Sequence, residues 1–129
     1  MLDTNIVSEL ARRPHGTVAR KIAEAGSDTI CVSIICAAEL RYGCAKKGSQ
    51  KLTAQIEAIL GAVQIPPFNA PADVEYGRLR ASLESAGTPI GPNDMLIAAH
   101  ALALDAVLVT ANTAEFARVS GLTVENWIA

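Results

Sequence analysis

The sequence has 129 residues, of which half are hydrophobic, 4% are aromatic and 19% are charged. This length and composition predict one globular domain spanning residues 1–129, and they exclude a disordered chain. The formal net charge of −2 excludes a strongly basic protein, so any positive surface for a nucleic acid must be local.

Six segments carry the periodicity and the boundary residues of helices, at 4–11, 16–24, 34–45, 50–61, 71–85 and 93–104. Five short apolar segments predict strands, at 1–2, 29–33, 62–65, 106–110 and 122–124. Strands that alternate with helices predict a three-layer α/β/α domain with a short, mostly parallel central sheet. In such sheets ligands bind beyond the carboxyl ends of the strands.

Two aspartates lie where a strand ends or a helix begins. Asp3 ends the first strand and directly precedes a helix, and Asp94 opens the apolar helix 93–104. Aspartate is a preferred N-cap residue, so either residue can be explained as a cap, and Asn93 can cap the second helix instead. The face that carries Asp94 continues through apolar residues, which predicts that its carboxylate points at the sheet.

Glu39 is harder to explain as a structural residue. At helical spacing its neighbours are Ile35, Cys36, Tyr42 and Gly43, and no lysine or arginine stands there to pair with it. A carboxylate on such a face is costly to desolvate unless a cation or hydrogen bonds compensate it. The alternative is a glutamate exposed at the edge of the helix.

Further polar side chains follow the strand 106–110. Thr110, Asn112 and Glu115 all lie at its carboxyl end, where they supply oxygen atoms. Turn and cap chemistry is the alternative explanation for these three residues.

Acidic residues gathered at one sheet edge repel one another unless hard cations neutralise them. Oxygen donors of this kind favour Mg²⁺, with Mn²⁺ as a second candidate, and two such ions can promote phosphodiester hydrolysis. Zinc is disfavoured because the two histidines, His15 and His100, are far apart in sequence. His100 is expected to pack or to form a hydrogen bond on its own helix.

The three cysteines form no CxxC pair, which favours reduced, structural thiols in a cytoplasmic protein. Cys36 and Cys44 are expected to share a helix face. No uncharged run reaches the roughly 18 residues of a membrane span, so no membrane association is predicted.

Four segments together resemble VapC-type toxins of the PIN-domain ribonuclease family. They are MLDTNIVSEL at 1–10, AELRYG at 38–43, GTPIGPNDMLIAAHALAL at 87–104 and LVTANTAEFARVSGLTVENW at 108–127. The resemblance implies a PIN fold, a metal-dependent endoribonuclease, a cognate antitoxin as partner and a homodimer. It implies that Asp3, Glu39 and Asp94 are the catalytic, metal-binding acids, and that Asn5, Ser33 and Thr110 line the site.

Two departures from the family pattern leave choices open. Relatives often carry an aspartate near Asn112, so the fourth ligand here is Asn112, Glu115 or water, and a second metal is an open question. Relatives often have a few residues before the MLDTN segment, so the natural start of the protein can lie upstream of Met1.

The resemblance implies an RNA substrate, with a transfer-RNA anticodon loop, and specifically that of initiator transfer RNA, as the first candidate. The basic residues available for contact with RNA are Arg12, Arg13, Lys46, Lys47, Lys51, Arg78 and Arg80.

The alternative function is a PIN-like RNA- or protein-binding module without cleavage activity. A haloacid-dehalogenase-like phosphatase is disfavoured because Asn5 stands where that class needs a second acid. A Rossmann cofactor domain is disfavoured because the chain has no GxGxxG motif.

Overall fold

Short pieces of extended chain form the sheet at the centre of the computed structural model, which describes residues 1–128. Leu108–Val109 (β1) and Val124–Glu125 (β2) pair in parallel. Leu2 forms a parallel bridge to β1, and Cys31 forms one to Gln64. The Leu2 N–H donates to the Cys31 carbonyl at 2.9 Å, which joins these two parts. The order across the sheet is therefore 64, 31, 2, 109 and 124, and the mostly parallel sheet is confirmed.

The extended pieces are shorter than the sequence predicts because adjacent helices and turns take up their end residues. The segment 29–33 loses its beginning to a 3₁₀ turn at Ser27–Thr29, and its last residue, Ser33, caps the next helix. The third piece loses Ala62, which belongs to the preceding helix. Each strand consequently contributes only one or two ladder positions before the chain turns towards a helix.

Seven helices in residues 1–128 pack around the sheet. They are α1 (Thr4–Arg12), α2 (Thr17–Ala25), α3 (Ile34–Lys47), α4 (Gln50–Ala62), α5 (Ala72–Ser85), α6 (Pro92–Ala103) and α7 (Thr113–Phe116). The predicted helices therefore form with boundaries shifted by one or two residues. The exception is α7, a single turn that is too short to show a helical period in the sequence.

The start of α6 corrects the sequence-based expectation about its cap. Gly91 occupies the N-cap position and Pro92 is the first helical residue, so neither Asn93 nor Asp94 caps the helix. Proline suits this position because its missing N–H has no partner in a first helical turn and its φ angle is already helical. Asp94 is thereby placed within the first turn and is not needed as a cap.

The core is built around α6, which is buried along most of its length between α5 and α3. Small side chains such as Ala98, Ala99 and Ala101 allow these neighbours to approach closely. Helix α1 packs against α2, α3 and α4, and the buried apolar residues form one continuous cluster. No helix in residues 1–128 has the length and apolarity needed to cross a bilayer.

The cysteines follow the sequence-based expectation. All three are free thiols, and Cys36 and Cys44 are buried on α3, where they pack as small apolar side chains.

Candidate active site

Asp3 and Thr110 meet at the carboxyl ends of adjacent parallel strands. Asp3 is only 4% exposed, and its Oδ2 accepts a hydrogen bond of 2.7 Å from the Thr110 hydroxyl. The Asn5 side-chain amide donates to the same oxygen at 3.3 Å, and the Thr4 N–H donates to Oδ1 at 2.8 Å. Asp3 is also the N-cap residue of α1, so the same side chain both caps this helix and lies in the site. These donors hold a buried carboxylate in one orientation.

Glu39 on α3 is held by two polar side chains from other elements. The Thr4 hydroxyl donates to its Oε1 at 2.7 Å, and the Asn93 amide donates to its Oε2 at 3.1 Å. The expectation of an apolar environment is wrong in part, because Tyr42, one turn along, is 66% exposed. Glu39 lies half-buried at the edge of this face, and hydrogen bonds rather than apolar contacts fix it.

Asp94 is the acid of the site whose pKa departs furthest from its ordinary value. Burial raises the pKa of its carboxyl from 3.8 to about 7, assisted by the charge of Glu115, a hydrogen bond with Glu115, and the charges of Asp3 and Glu39. Four carboxyl groups from α1's start, α3, α6 and α7 therefore share one electrostatic environment. We call these four residues the acidic cluster.

The proton shared by Asp94 and Glu115 resides on Asp94. The Gly91 N–H donates to Glu115 Oε1 at 2.8 Å, and this bond, with others from Asn112 and Asp94 and the charge of Arg118, lowers the pKa of Glu115. Glu115 thus favours its ionised form, and protonated Asp94 donates to it.

Asn112 and Asn5 also act on their neighbours through hydrogen bonds. The Asn112 side-chain amide donates to Glu115, and its backbone N–H donates to the Thr110 hydroxyl at 3.0 Å. The Asn5 side-chain oxygen accepts from the Ala111 N–H at 2.9 Å. Asn112 therefore positions Glu115, and of these two residues Glu115 is the one that joins the acids. The identity of the fourth metal ligand stays a prediction.

Ser33, which the resemblance places in the site lining, has its hydroxyl engaged elsewhere. Its Oγ lies 2.7 Å from His100 Nδ1 and also accepts from the Ile35 N–H, which caps α3. His100 is buried and packs against Phe68, as expected, and its hydrogen bond reaches Ser33 on another element rather than its own helix. Its Nε2 is buried without a hydrogen bond of good geometry, the Pro67 carbonyl being close enough to act on the ring. Burial lowers the pKa of His100, which keeps the ring neutral and structural.

The donor chemistry of the acidic cluster fits magnesium or manganese, since it consists of oxygen atoms. Within residues 1–128, no three His, Cys, Asp or Glu side chains are arranged so that they could hold one metal ion together. Magnesium does not need such a set, because one or two carboxylates commonly suffice beside waters and substrate phosphates. The raised pKa of Asp94 is the observation that favours a cation, because burial and the charges of Glu115, Asp3 and Glu39 all oppose ionisation of this carboxyl group.

Arg118 is a site-adjacent residue that the sequence analysis missed. It lies one turn after Glu115, its positive charge acts on Glu115, and its guanidinium donates to the Pro89 carbonyl at 3.0 Å. Among the basic residues that were considered, Arg12 and Arg13 both pair with Glu9. The short spacing between Glu115 and Arg118 was the available signal in the sequence.

The chain is a parallel α/β domain with an acidic cluster at the carboxyl ends of its central strands, and this combination is the basis for assigning it to a family. The PIN domain family model matches residues 1–122, and the chain belongs to that family.

Comparison with individual proteins shows which members of the PIN-domain family the chain is similar to. The chain is 41% identical to ribonuclease VapC2 of Rickettsia felis, over 98% of this chain and 96% of that protein. It is 36% identical to the tRNA(fMet)-specific endonuclease VapC of Shigella flexneri, with the same shares covered. A crystal structure of Rickettsia felis VapBC2 bound to a DNA fragment from its promoter matches with a TM-score of 0.90 and 38% identity, covering 98% of this chain and 97% of that one. The predicted VapC-type PIN domain is confirmed.

Proposed function

We propose that this protein is the toxin of a toxin–antitoxin pair and acts as a magnesium-dependent endoribonuclease. The observation that carries the proposal is the acidic cluster at the carboxyl ends of the strands, in which burial and three neighbouring carboxyl groups raise the pKa of Asp94 to about 7. The similarity to relatives named ribonuclease VapC and tRNA(fMet)-specific endonuclease VapC supports cleavage of RNA. The substrate we propose first is a transfer-RNA anticodon loop, which places the activity in the cytoplasm.

The residues of this chain orient the oxygens that would hold the metal. Thr110 and Asn5 fix Asp3, while Thr4 and Asn93 fix Glu39 by the bonds described above. Magnesium, when bound, would neutralise charge on the phosphodiester and promote deprotonation of water for attack. Because Thr4 donates its N–H to Asp3 and its hydroxyl to Glu39, one residue sets the relative position of these two acids.

Asp94 and Glu115 contribute a proton site. Asp94 holds the shared proton in the metal-free protein and must release it before its carboxylate can bind a cation. Metal binding is therefore expected to release protons and to weaken as the pH falls below about 7. Magnesium could be replaced by manganese, which has the same ligand preference.

The proposed partner is a small antitoxin. A groove of about 260 Å³ opens beside Glu39 between α1, α3 and α4, with Leu40, Leu52 and Ile56 among its lining residues. Similar chains occur in structures described as VapBC complexes, which supports a bound second chain. An apolar helix or extended segment fits such a groove, and a basic side chain at its end would pair with the acidic cluster. Homodimerisation stays a prediction.

The experiment that tests the function combines purified protein and total RNA, with magnesium or with EDTA, and maps new 5′ ends by sequencing. Discrete cleavage sites should appear with magnesium, and both EDTA and Asp94→Asn should remove them. Cleavage that persists in EDTA would refute metal dependence. If no RNA is cleaved under any condition, the alternative of a binding module without cleavage activity is correct.

A further inference from the structure

A second pocket lies beside the acidic cluster and differs from it in charge. It has a volume of about 150 Å³ and lies between α5 and the segment that follows α7. Its polar lining is Arg78, Ser82, Arg118 and Ser120, and Leu83 and Val119 form part of its apolar lining. We call it the arginine pocket.

Contacts along one loop join the arginine pocket to the acidic cluster. The Arg118 guanidinium donates to the Pro89 carbonyl at 3.0 Å, and two residues further on the Gly91 N–H donates to Glu115 at 2.8 Å. A Cβ built on Gly91 would lie 3.5 Å from Asp94 Oδ2, so this loop touches the cluster directly. The loop 89–91 is thus held between a cation on one side and the acids on the other.

The charge of Arg118 is available to a ligand, because no carboxylate in residues 1–128 pairs with it at salt-bridge distance, a property that it shares only with Arg20 on α2. In residues 1–128, five of the seven arginines form ion pairs with carboxylates at salt-bridge distance. Arg78 is among them, paired with Glu75, whereas Arg118 binds a neutral carbonyl. A guanidinium has five N–H donors, so one bond to a carbonyl leaves others to face an anion.

A nuclease with four carboxyl groups needs compensating positive charge, because its site repels the phosphates flanking the cleaved bond. We propose that the arginine pocket binds a backbone phosphate of the RNA next to the cleaved phosphodiester, an inference that rests on the proposed function. Arg118 supplies the main charge, and the Ser82 and Ser120 hydroxyls donate to the phosphate oxygens. Charge-assisted bonds from a guanidinium to phosphate are stronger than neutral hydrogen bonds and can be bidentate.

The test measures binding of a fluorescein-labelled transfer-RNA anticodon stem-loop by anisotropy over a series of salt concentrations. All proteins carry Asp94→Asn and are kept in EDTA, so that the proposed nuclease cannot cut the probe. Adding Arg118→Gln should weaken binding several-fold and lower the slope of log affinity against log salt by about 0.7 to 1, as expected for one lost phosphate contact. Arg118→Lys should restore most of the slope, and Ser120→Asp should weaken binding by repulsion.

Arg80→Gln is the matched control, because Arg80 lies on α5 beyond the pocket lining and pairs with Glu84. It should leave affinity and slope unchanged. Equal affinity and slope for Arg118→Gln and its parent would overturn the proposal, as would an equal loss in the Arg80 control. If the protein with native Asp94 still cleaves RNA in those cases, only the pocket is refuted. If it neither cleaves nor binds RNA, the proposed function fails and the pocket proposal fails with it.

Discussion

Asp94→Asn removes one charge from the acidic cluster while keeping the size of the side chain. In the native protein, protonated Asp94 donates a hydrogen bond to Glu115, and the asparagine amide can donate in its place. The substitution therefore preserves the contact and removes only the cost of ionising a half-buried acid beside three others. The metal-free variant should be more stable than the native protein at neutral pH.

The magnitude follows from the pKa of Asp94, which rises from 3.8 to about 7. At about 1.36 kcal/mol per pH unit, a fully desolvated group would contribute about 4 kcal/mol. Asp94 is only half-buried, so solvent screening reduces the expected gain to about 1–2 kcal/mol. For a domain of this size that corresponds to a rise in Tm of about 3–8 °C.

The sign of the pH dependence follows from the same shift. An acid whose pKa is raised on folding stabilises the native state below its unfolded pKa, and this contribution is lost as the pH rises from about 4 to about 7. Asparagine does not titrate, so the Tm difference between variant and native protein should be near zero around pH 4 and reach its plateau above pH 7.

Differential scanning fluorimetry of both proteins in EDTA, from pH 4 to pH 8, measures this difference. Magnesium should then stabilise the native protein, by about 2.7 kcal/mol at a hundredfold excess over its Kd, and should stabilise the variant much less. A variant that melts at or below the native Tm in EDTA at pH 8, or a difference that does not change with pH, would refute the reasoning.

Three further predictions concern cleavage, the support of Asp3 and the partner. Asp3→Asn and Glu39→Gln should each lower the rate of single-turnover RNA cleavage by orders of magnitude, because the bound metal stabilises the transition state by several kcal/mol. Glu115→Gln should lower the rate less. Undiminished cleavage by the Asp3 or the Glu39 variant would contradict their assignment as metal-binding acids. Thr110→Val should reduce the free energy of unfolding by about 1–3 kcal/mol and the magnesium affinity by about 10–100-fold, whereas Thr110→Ser should retain both in denaturant and calorimetric titrations. Expression alone should arrest growth, and the product of the adjacent small open reading frame should rescue growth and co-purify, while Leu52→Glu in the groove should abolish co-purification but not cleavage. A chain that is tolerated at high expression and binds no such product would refute the toxin assignment.

The parts of the site that follow from strand order could be predicted from the sequence. Asp3 and Thr110 each follow a short apolar segment, and parallel strands bring their carboxyl ends to one edge, so their contact required no knowledge of side-chain direction. Glu39 was identified because its carboxylate lacked a cationic partner at helical spacing, and Asp94 because it opens a helix whose face continues through apolar residues. In the structure these acids lie close enough that the charges of Asp3 and Glu39 raise the pKa of Asp94.

The parts that depend on side-chain direction could not be predicted. Ser33 ends a predicted strand just as Asp3 does, yet its hydroxyl turns to His100, which the sequence places 67 residues away. Asn93 was considered only as a cap, and it binds Glu39 because Pro92 moves the helix start one residue earlier. Arg118 belongs to a segment whose single helical turn gives no periodic signal.

The strand order 64, 31, 2, 109, 124 has a consequence for synthesis of the protein. The hydrogen bond between Asp3 and Thr110 spans 107 residues of chain, and the N–H of Asp3 bonds to the Val109 carbonyl over a similar span. During translation, at about 5–20 residues per second, the ribosome has to make and release that whole intervening stretch before these two groups can meet. The acidic cluster is therefore assembled among the last features of the nascent chain, because contacts of such long sequence separation form late. A chain that ends before Thr110 lacks both the hydroxyl that holds Asp3 and the fourth acid, Glu115, so the acidic cluster cannot be completed in it.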